Sequence, residues 1–397
     1  MGNALVHSGD AAQPGSKPRP GWARRRLLRA AAWLALAPAG WAFAAEPLVI
    51  GQSLPLGSAD DGSAARASAG ARAYIEFVNA SGGIRGRQLK LLTLDDGGDP
   101  RRHVDNLRQL VTQHKAVALL NCVGDAACAA GAQVARTEKV ALIGPMSGAA
   151  ALGRDANPYV FRTRATYAME AEALTKQMLA LGTSKVVIVT DRLPVSEGAA
   201  ALQEAFARQR IASTVLDVDP SASASVARFR SEATSGRYHA MFVDMGVEGF
   251  ALVSRLSQEA SDRWPLFVTT FAAGNVNSLL TGFSGRVVGF TSVVPNPEVA
   301  SIQLTRDLQE HAERFAGGGQ AVTFAGMEGY INARICVDAL RRASAAGMVD
   351  ARGVLAAMNT MGSVDLGGFT ANFSASPSAA SDRVDIVVRS RSGHLLK

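Results

Sequence analysis

Residues 116–148 read AVALLNCVGDAACAAGAQVARTEKVALIGPMSG, and this stretch decides the fold. Its apolar runs AVALL and VALI have the length of buried strands, and a small-residue helix is predicted between them. Strands that alternate with helices indicate a parallel sheet, in which ligands bind outside the carboxyl ends of the strands. The loops 121–125 and 144–148 lie at that edge, each before a helix N-terminus whose free N–H groups favour an anion. We interpret these two loops as half of a small-molecule cleft.

The length and charge of the chain limit its class. A chain of 397 residues is too long for one ordinary core, so two domains are expected. The formal net charge is +7 at pH 7. Most of this basic excess lies in residues 1–44, and the remainder is nearly balanced. Nothing in the charge pattern therefore indicates a nucleic-acid partner.

Residues 1–44 have the pattern of a disordered extension followed by a signal peptide. An arginine-rich segment at 24–29 precedes an apolar run that is too short to span a membrane. A small-x-small pattern after this run predicts cleavage near Ala44 or Ala45. The arginines also resemble a twin-arginine signal, so the choice between the general and the twin-arginine export route stays open. We expect a soluble protein of the periplasm.

The cysteines and histidines indicate neither catalysis nor a metal site. An oxidising compartment permits a disulfide between Cys122 and Cys128, but we favour two buried thiols, since a strand end and a helix would both have to fit the bridge. Cys336 lies in an apolar helix and is expected in the core. The histidines lack metal-ligand spacing, and Ser147 stands one place late for a nucleophile elbow. No phosphate-binding or dinucleotide motif is present. We therefore expect no enzyme and no cofactor.

Several short motifs follow one another in an order typical of one family. They are IGQSLPL at 50–56, NASGGIRGR at 79–87, LDD at 94–96, DP at 99–100, IGP at 143–145, NPYVFR at 157–162 and EGY at 328–330. Together they resemble the periplasmic branched-chain amino-acid binding proteins, which feed ABC importers. The resemblance covers about residues 46–397.

This resemblance implies a fold and its division into lobes. The fold class is α/β, with two doubly wound parallel-sheet lobes joined by three crossovers, the type I periplasmic binding protein fold. The first lobe is expected to comprise residues 46–165 and 295–366, and the second residues 166–294 and 367–397. The second half of the chain repeats the strand–loop–helix pattern of the first, which supports the same plan independently.

By position, the resemblance places ligand contacts on loops of both lobes. In the first lobe these are Ser53, Leu54, Pro55, Asp61, Gly124, Asp125, Met146, Ser147 and Gly148, with Asp60 beside them. In the second lobe they are Arg192, Asp244, Met245, Val247 and Phe271.

Two of these positions depart from the family pattern. Asp125 replaces an expected hydroxyl residue; its carboxylate would repel an acid yet hold a cation, and the alternative is an N-cap of the next helix. Phe271 stands where amino-acid binders place a glutamate that pairs with the ammonium group. An apolar wall of Met146, Met245, Val247 and Phe271 suits an aliphatic or aromatic acid or amide, although each could be ordinary core.

The sequence thus predicts a monomeric periplasmic solute-binding protein. It would capture a branched-chain amino acid, an amide or an aliphatic or aromatic acid between two lobes by hinge motion, and deliver it to an ABC permease in the inner membrane. The alternative is a sensory ligand-binding protein coupled to a membrane receptor or regulator. A hydrolase on the same scaffold is a third hypothesis.

Overall fold

The computed structural model describes residues 46–57, 61–153, 155–259, 264–265, 267–272, 276–283, 287–374, 379–389 and 395–396. The predicted extension and signal peptide lie outside the described residues, as does Asp60.

The first lobe is built on a five-stranded parallel sheet. Its strands are β1 (Leu48–Leu54), β2 (Leu89–Asp95), β3 (Ala118–Leu120), β4 (Leu142–Ile143) and β5 (Val160–Phe161). Their spatial order is β2-β1-β3-β4-β5. The connecting helices are α1 (Ser63–Ala80), α2 (Pro100–Thr112) and α3 (Asp125–Glu138). The apolar runs of the 116–148 segment are therefore strands of one sheet, and the loops after β3 and β4 lie at its carboxyl edge.

The second lobe repeats this arrangement. Its parallel strands are β6 (Lys185–Thr190), β7 (Ala212–Asp217), β8 (Ala240–Asp244), β9 (Phe267–Thr270) and β10 (Val287–Ser292). Their order, β7-β6-β8-β9-β10, is the order of the first lobe. The helices are α4 (Tyr167–Ala180), α5 (Glu197–Arg208), α6 (Ser223–Ala233), α7 (Val247–Glu259) and α8 (Val276–Gly282).

The chain then returns to the first lobe before it ends in the second. Helices α9 (Gln303–Phe315) and α10 (Phe324–Ala345) pack against α1, and α11 (Ala351–Asn359) packs against α10. A hairpin follows, formed by β11 (Ser363–Asp365) and β12 (Thr370–Asn372). Finally β13 (Asp385–Arg389) extends the second sheet antiparallel to β10, and β14 (Leu395–Leu396) pairs antiparallel to β13 at the edge. The predicted fold class, two doubly wound α/β lobes with three crossovers, is confirmed.

The segment around β12, near the predicted third crossover, packs against α10. Phe369, Ala371 and Phe373 pack in the same core cluster as the apolar residues of α10. Residues 369–373 thus pack against α10, and the assignment of 367–397 to the second lobe stays a prediction. Phe369 and Phe373 flank β12, and their aromatic side chains need a core that the short hairpin itself does not provide.

Cys122 and Cys128 form a disulfide, so the favoured prediction of two free thiols is wrong. Helix α3 begins at Asp125, which places Cys128 in its first turn, next to the chain that leaves β3. The Cα atoms of the two cysteines are 5.4 Å apart, within the range that a disulfide spans. Cys336 is a buried free thiol in α10, as expected.

Candidate functional site

A cavity of about 150 Å³ lies between the two lobes. From the first lobe it is lined by Ser63, Arg66, Met146, Thr323, Phe324, Ala325 and Glu328. From the second lobe and the crossover after β10 it is lined by Ala272, Val276, Asn277, Leu280, Phe290, Thr291, Ser292, Val293, Val294 and Glu298. The walls are mainly apolar, with one cationic and one buried anionic side chain among them.

The close crossing of α1 and α10 brings these two charged side chains to the same cavity. A Cβ atom at Gly329 would lie 2.0 Å from the carbonyl oxygen of Ala67, and one at Gly70 would lie 1.9 Å from that of Gly326. Any side chain at these glycines would force the helices apart. Arg66 and Glu328 are the immediate neighbours of Ala67 and Gly329, so the crossing positions both of them.

Arg66 is half-buried at the cavity wall. Its Nη1 donates to the backbone carbonyl of Asp61 at 2.9 Å. The guanidinium lies over Gly62, where φ is +87° and an added Cβ would meet Nη1 at 2.4 Å. Glycine is thus required there both for the left-handed backbone and for space. Within the described part of the chain no carboxylate forms an ion pair with Arg66, which leaves it able to bind an acid group.

Glu328 belongs to a buried charge cluster at the first crossover. Arg164, which is 1% exposed, donates to Glu170 at 2.9 Å and to Glu328 at 3.4 Å. Burial alone lowers the pKa of Arg164, but Glu328 and Glu170 together outweigh burial and raise that pKa above its ordinary value. Burial raises the pKa of Glu328, and Arg164 opposes this only in part. Arg164 is therefore a permanent cation held between two carboxylates.

The predicted loops after β3 and β4 do meet, and Asp125 joins them. Ser147 Oγ and the Tyr167 hydroxyl both donate to Asp125 Oδ1, each at 2.6 Å. The N-cap position of α3 is Gly124, so the N-cap interpretation of Asp125 is wrong. Burial raises the pKa of Tyr167 well above its ordinary value, and the Asp125 carboxylate adds to this. Tyr167 thus remains a hydrogen-bond donor to Asp125.

Tyr167 also connects these loops to the second lobe. Its ring stacks on Phe271, with centroids 6.0 Å apart. A Cβ atom at Gly148 would lie 2.6 Å from both the ring and the backbone nitrogen of Tyr167. The structure therefore brings Asp125, Ser147, Gly148 and Phe271 around one tyrosine that the sequence analysis did not single out.

The remaining predicted residues of the first lobe have other surroundings. Ser53 is buried and donates to Asp96 at 3.0 Å, while Leu54 and Pro55 are buried beside it. Asp61 accepts hydrogen bonds from the second lobe, from the backbone N–H groups of Asn277 at 2.9 Å and Ser278 at 3.2 Å. None of these predicted side chains lines the cavity.

The predicted residues of the second lobe lie at the carboxyl ends of β6, β8 and β9. Asp244 accepts from the backbone N–H of Ser196 at 3.1 Å. Arg192 pairs with Asp191 at 3.1 Å and is largely exposed. The side chains of Met245 and Phe271 are buried, and Val247 begins α7. Of all the residues predicted from sequence, Met146 is the one that lines the described cavity.

Sequence reasoning missed Arg66 and Glu328. Glu328 is part of the EGY motif, which served only to mark the family. A carboxylate inside the otherwise apolar stretch 324–331 is a signal that it needs a buried partner. Arg66 stands alone among small residues directly after the first loop, and its position gave no comparable signal.

Other kinds of site were searched for in the described ranges. No group of three or more His, Cys, Asp or Glu side chains among these residues could hold a metal ion. None of the helices seen in the described part of the chain is long and apolar enough to cross a membrane.

Comparison with known proteins places this geometry in context. The sequence profile described as "Periplasmic binding protein" matches residues 47–387. The structure of an extracellular ligand-binding receptor from Verminephrobacter eiseniae ef01-2 is 26% identical with a TM-score of 0.76, and the match covers 88% of this chain and 100% of that one. A search of curated proteins finds no match.

Two further solved structures share the fold. A substrate-binding periplasmic protein from Ralstonia solanacearum is 22% identical with a TM-score of 0.76, covering 88% of this chain and 99% of its own. A possible leucine/isoleucine/valine-binding protein from Rhodopirellula baltica SH 1 is 21% identical with a TM-score of 0.76, covering 89% of this chain and 97% of its own.

Proposed function

The chain belongs to the periplasmic binding protein family, and we propose that it is a solute-binding protein of the periplasm that delivers a small metabolite to an ABC permease in the inner membrane. The observation that carries this proposal is the cavity whose walls come from both lobes. A ligand in such a cavity contacts the two lobes at once, so its binding energy favours the closed arrangement. The protein acts as a monomer, without a cofactor and without altering the ligand.

The lining of the cavity supports a ligand with an acid group and an apolar group. Arg66 offers a guanidinium, which pairs well with a carboxylate. Opposite it, Val276, Leu280 and Phe290 provide an apolar wall for an aliphatic or aromatic side chain. The proposed ligand class is therefore a branched-chain amino acid, an amide, or an aliphatic or aromatic acid.

Ligand contacts by the residues predicted from sequence stay part of the proposal. In this structure Ser147 and Tyr167 both donate to Asp125, and Asp61 accepts from the backbone N–H of Asn277 in α8. We propose that the lobes separate by hinge motion about the crossovers, which breaks the contact of Asp61 and opens the cavity to solvent.

Thermal unfolding with a panel of candidate metabolites tests the proposal. A ligand that binds only the folded protein raises the melting temperature by mass action. We expect small carboxylic acids or amino acids to do so in the wild-type protein, and Arg66→Gln to lose most of the response. The control Arg314→Gln, on the exposed face of α9, should respond like the wild type. No response to any metabolite, or recovery of a chemically altered ligand, would contradict the proposal.

A further inference from the structure

The charges around Glu328 do not balance. Arg164 is a single cation between two carboxylates. Its guanidinium lies closer to the carboxylate of Glu170, at 2.9 Å, than to that of Glu328, at 3.4 Å. Glu170 lies 2.9 Å from Arg164, accepts the backbone N–H of Ala272 at 3.0 Å and accepts the hydroxyl of Thr291. For Glu328, the described residues supply one hydrogen bond, from Arg164 to its Oε1 at 3.4 Å.

Glu328 lines the cavity, and its bond to Arg164 uses only one carboxylate oxygen, Oε1. Among the residues that the structure describes, none donates a hydrogen bond to its Oε2. The residue is 4% exposed and lines the cavity between the lobes. A buried carboxylate that lacks a full set of partners is costly. A cation placed in the cavity beside Glu328 would remove that cost.

Within the described ranges, no second cation pairs with Glu328. Arg162 donates to the carbonyl of Ala149, and Glu197 on α5 is the acid that acts most strongly on its pKa. Arg66 donates to the carbonyl of Asp61 and forms no ion pair with Glu328. Arg66 and Glu328 thus place two opposite charges on the wall of one cavity. Each can still bind a ligand group of the opposite charge.

We propose that Glu328 binds a cationic nitrogen of the ligand, such as a primary ammonium group, while Arg66 binds its acid group. The cavity then selects a small zwitterion over an acid of the same carbon skeleton. This inference rests on the proposed function and narrows its ligand class from acids and amides to compounds that carry both charges.

The charge of Glu328 also couples ligand binding to the release of a proton. The groups that act on its carboxylate are Arg164 from the crossover and Glu170 from α4. Arg66 from α1 and Glu298 from the crossover after β10 line the same cavity. Because burial raises the pKa of Glu328, the empty protein keeps a proton there to a higher pH than a carboxyl group in water does. A bound ammonium group lowers that pKa again, so binding of a zwitterion releases protons in mildly acidic buffer.

Matched pairs of probes test this inference by isothermal titration calorimetry. The pairs are leucine with 4-methylpentanoate and phenylalanine with 3-phenylpropanoate, each differing only in the ammonium group. We expect the wild-type protein to prefer the amino acid of at least one pair by about tenfold or more, the worth of a hydrogen bond to a charged group. Glu328→Gln should abolish that preference and the associated proton release.

Two further variants test whether the preference for the amino acid depends on the carboxylate at position 328. Glu328→Asp keeps the charge but withdraws it from the cavity, so it should retain part of the preference. Glu310→Gln removes an exposed carboxylate from α9 and should keep all of it. Circular dichroism and melting temperature establish that each variant is folded.

The outcomes separate the inference from the proposed function. Acids that bind as tightly as their amino-acid partners, or a preference that survives Glu328→Gln, would overturn the role of Glu328 and leave the binding function standing. Failure of all four probes to bind the wild-type protein would count against both.

Discussion

The carboxylate of Asp61 accepts a hydrogen bond from the backbone N–H of Asn277 at 2.9 Å. Asp61 precedes α1 in the first lobe, and Asn277 lies in the first turn of α8 in the second. The same Oδ2 atom accepts the N–H of Ser278 at 3.2 Å. The first N–H groups of a helix have no partner within the helix, so Asp61 satisfies donors that would otherwise need water. This contact ties the lobes together beside the cavity.

Replacement of Asp61 should therefore weaken the closed arrangement. In Asp61→Ala the two N–H groups lose their acceptor, at a cost of about 1–2 kcal/mol. Ligand affinity should fall by about five- to thirtyfold, and the radius of gyration in small-angle X-ray scattering should increase in the absence of ligand. Asp219→Ala is the control, since exposed Asp219 accepts from Ser221 in its own loop. If Asp61→Ala has the ligand affinity and the radius of gyration of the wild type, the contact does not stabilise the closed arrangement of the lobes.

Arg164→Met should be strongly destabilising. It leaves Glu170 and Glu328 buried without their cation, and breaking a buried ion pair in this way typically costs about 3–5 kcal/mol. Urea unfolding at neutral pH measures the loss, which should shrink in acid as Glu328, whose pKa burial raises, becomes protonated. In the control Arg314→Met, an exposed pair with Glu310 is removed, and the loss should be below about 1 kcal/mol. Equal losses in the two variants would contradict the importance of the buried cluster.

The two sheets could be predicted from the sequence because local patterns encode them. Each apolar run of the 116–148 segment is short, is followed by a loop with glycine, and leads into a helix. Such a unit can only bury its strand in a parallel sheet covered by helices. The same unit recurs in the second half of the chain, so both lobes follow from the same physical argument.

The charged lining of the cavity could not be predicted in this way. Arg66 and Glu328 are far apart in the sequence and become neighbours through the crossing of α1 and α10. That crossing depends on Gly70, Gly326 and Gly329, whose role is visible only when both helices are placed. Similarly, Tyr167 occupies the space between Asp125 and Phe271, and no local pattern indicates which aromatic residue does so.

The disulfide should contribute to stability under oxidising conditions. It closes a short loop, with a sequence separation of six, for which chain entropy gives about 2 kcal/mol. The double variant Cys122→Ala/Cys128→Ala should lose about this much in urea unfolding. Dithiothreitol should lower the stability of the wild-type protein and leave the double variant unchanged. Cys336→Ala keeps the disulfide and should remain sensitive to the reductant. Insensitivity of the wild-type protein would mean that the bridge does not form.

The raised pKa of Glu328 predicts how stability depends on pH in the absence of ligand. Its ordinary value is 4.5 and burial raises it in the folded protein, so above pH 4.5 the unfolded chain gives up this proton more readily than the folded one. The folded state is therefore penalised increasingly as pH rises through the raised pKa, by about 1.4 kcal/mol for each unit of difference. Glu328→Gln removes the penalty. The free energy of urea unfolding of Glu328→Gln minus that of the wild type should increase from pH 4.5 to pH 7.5. For Glu310→Gln the same difference should not change with pH. A constant difference for Glu328→Gln would show that the carboxyl group titrates as it does in water.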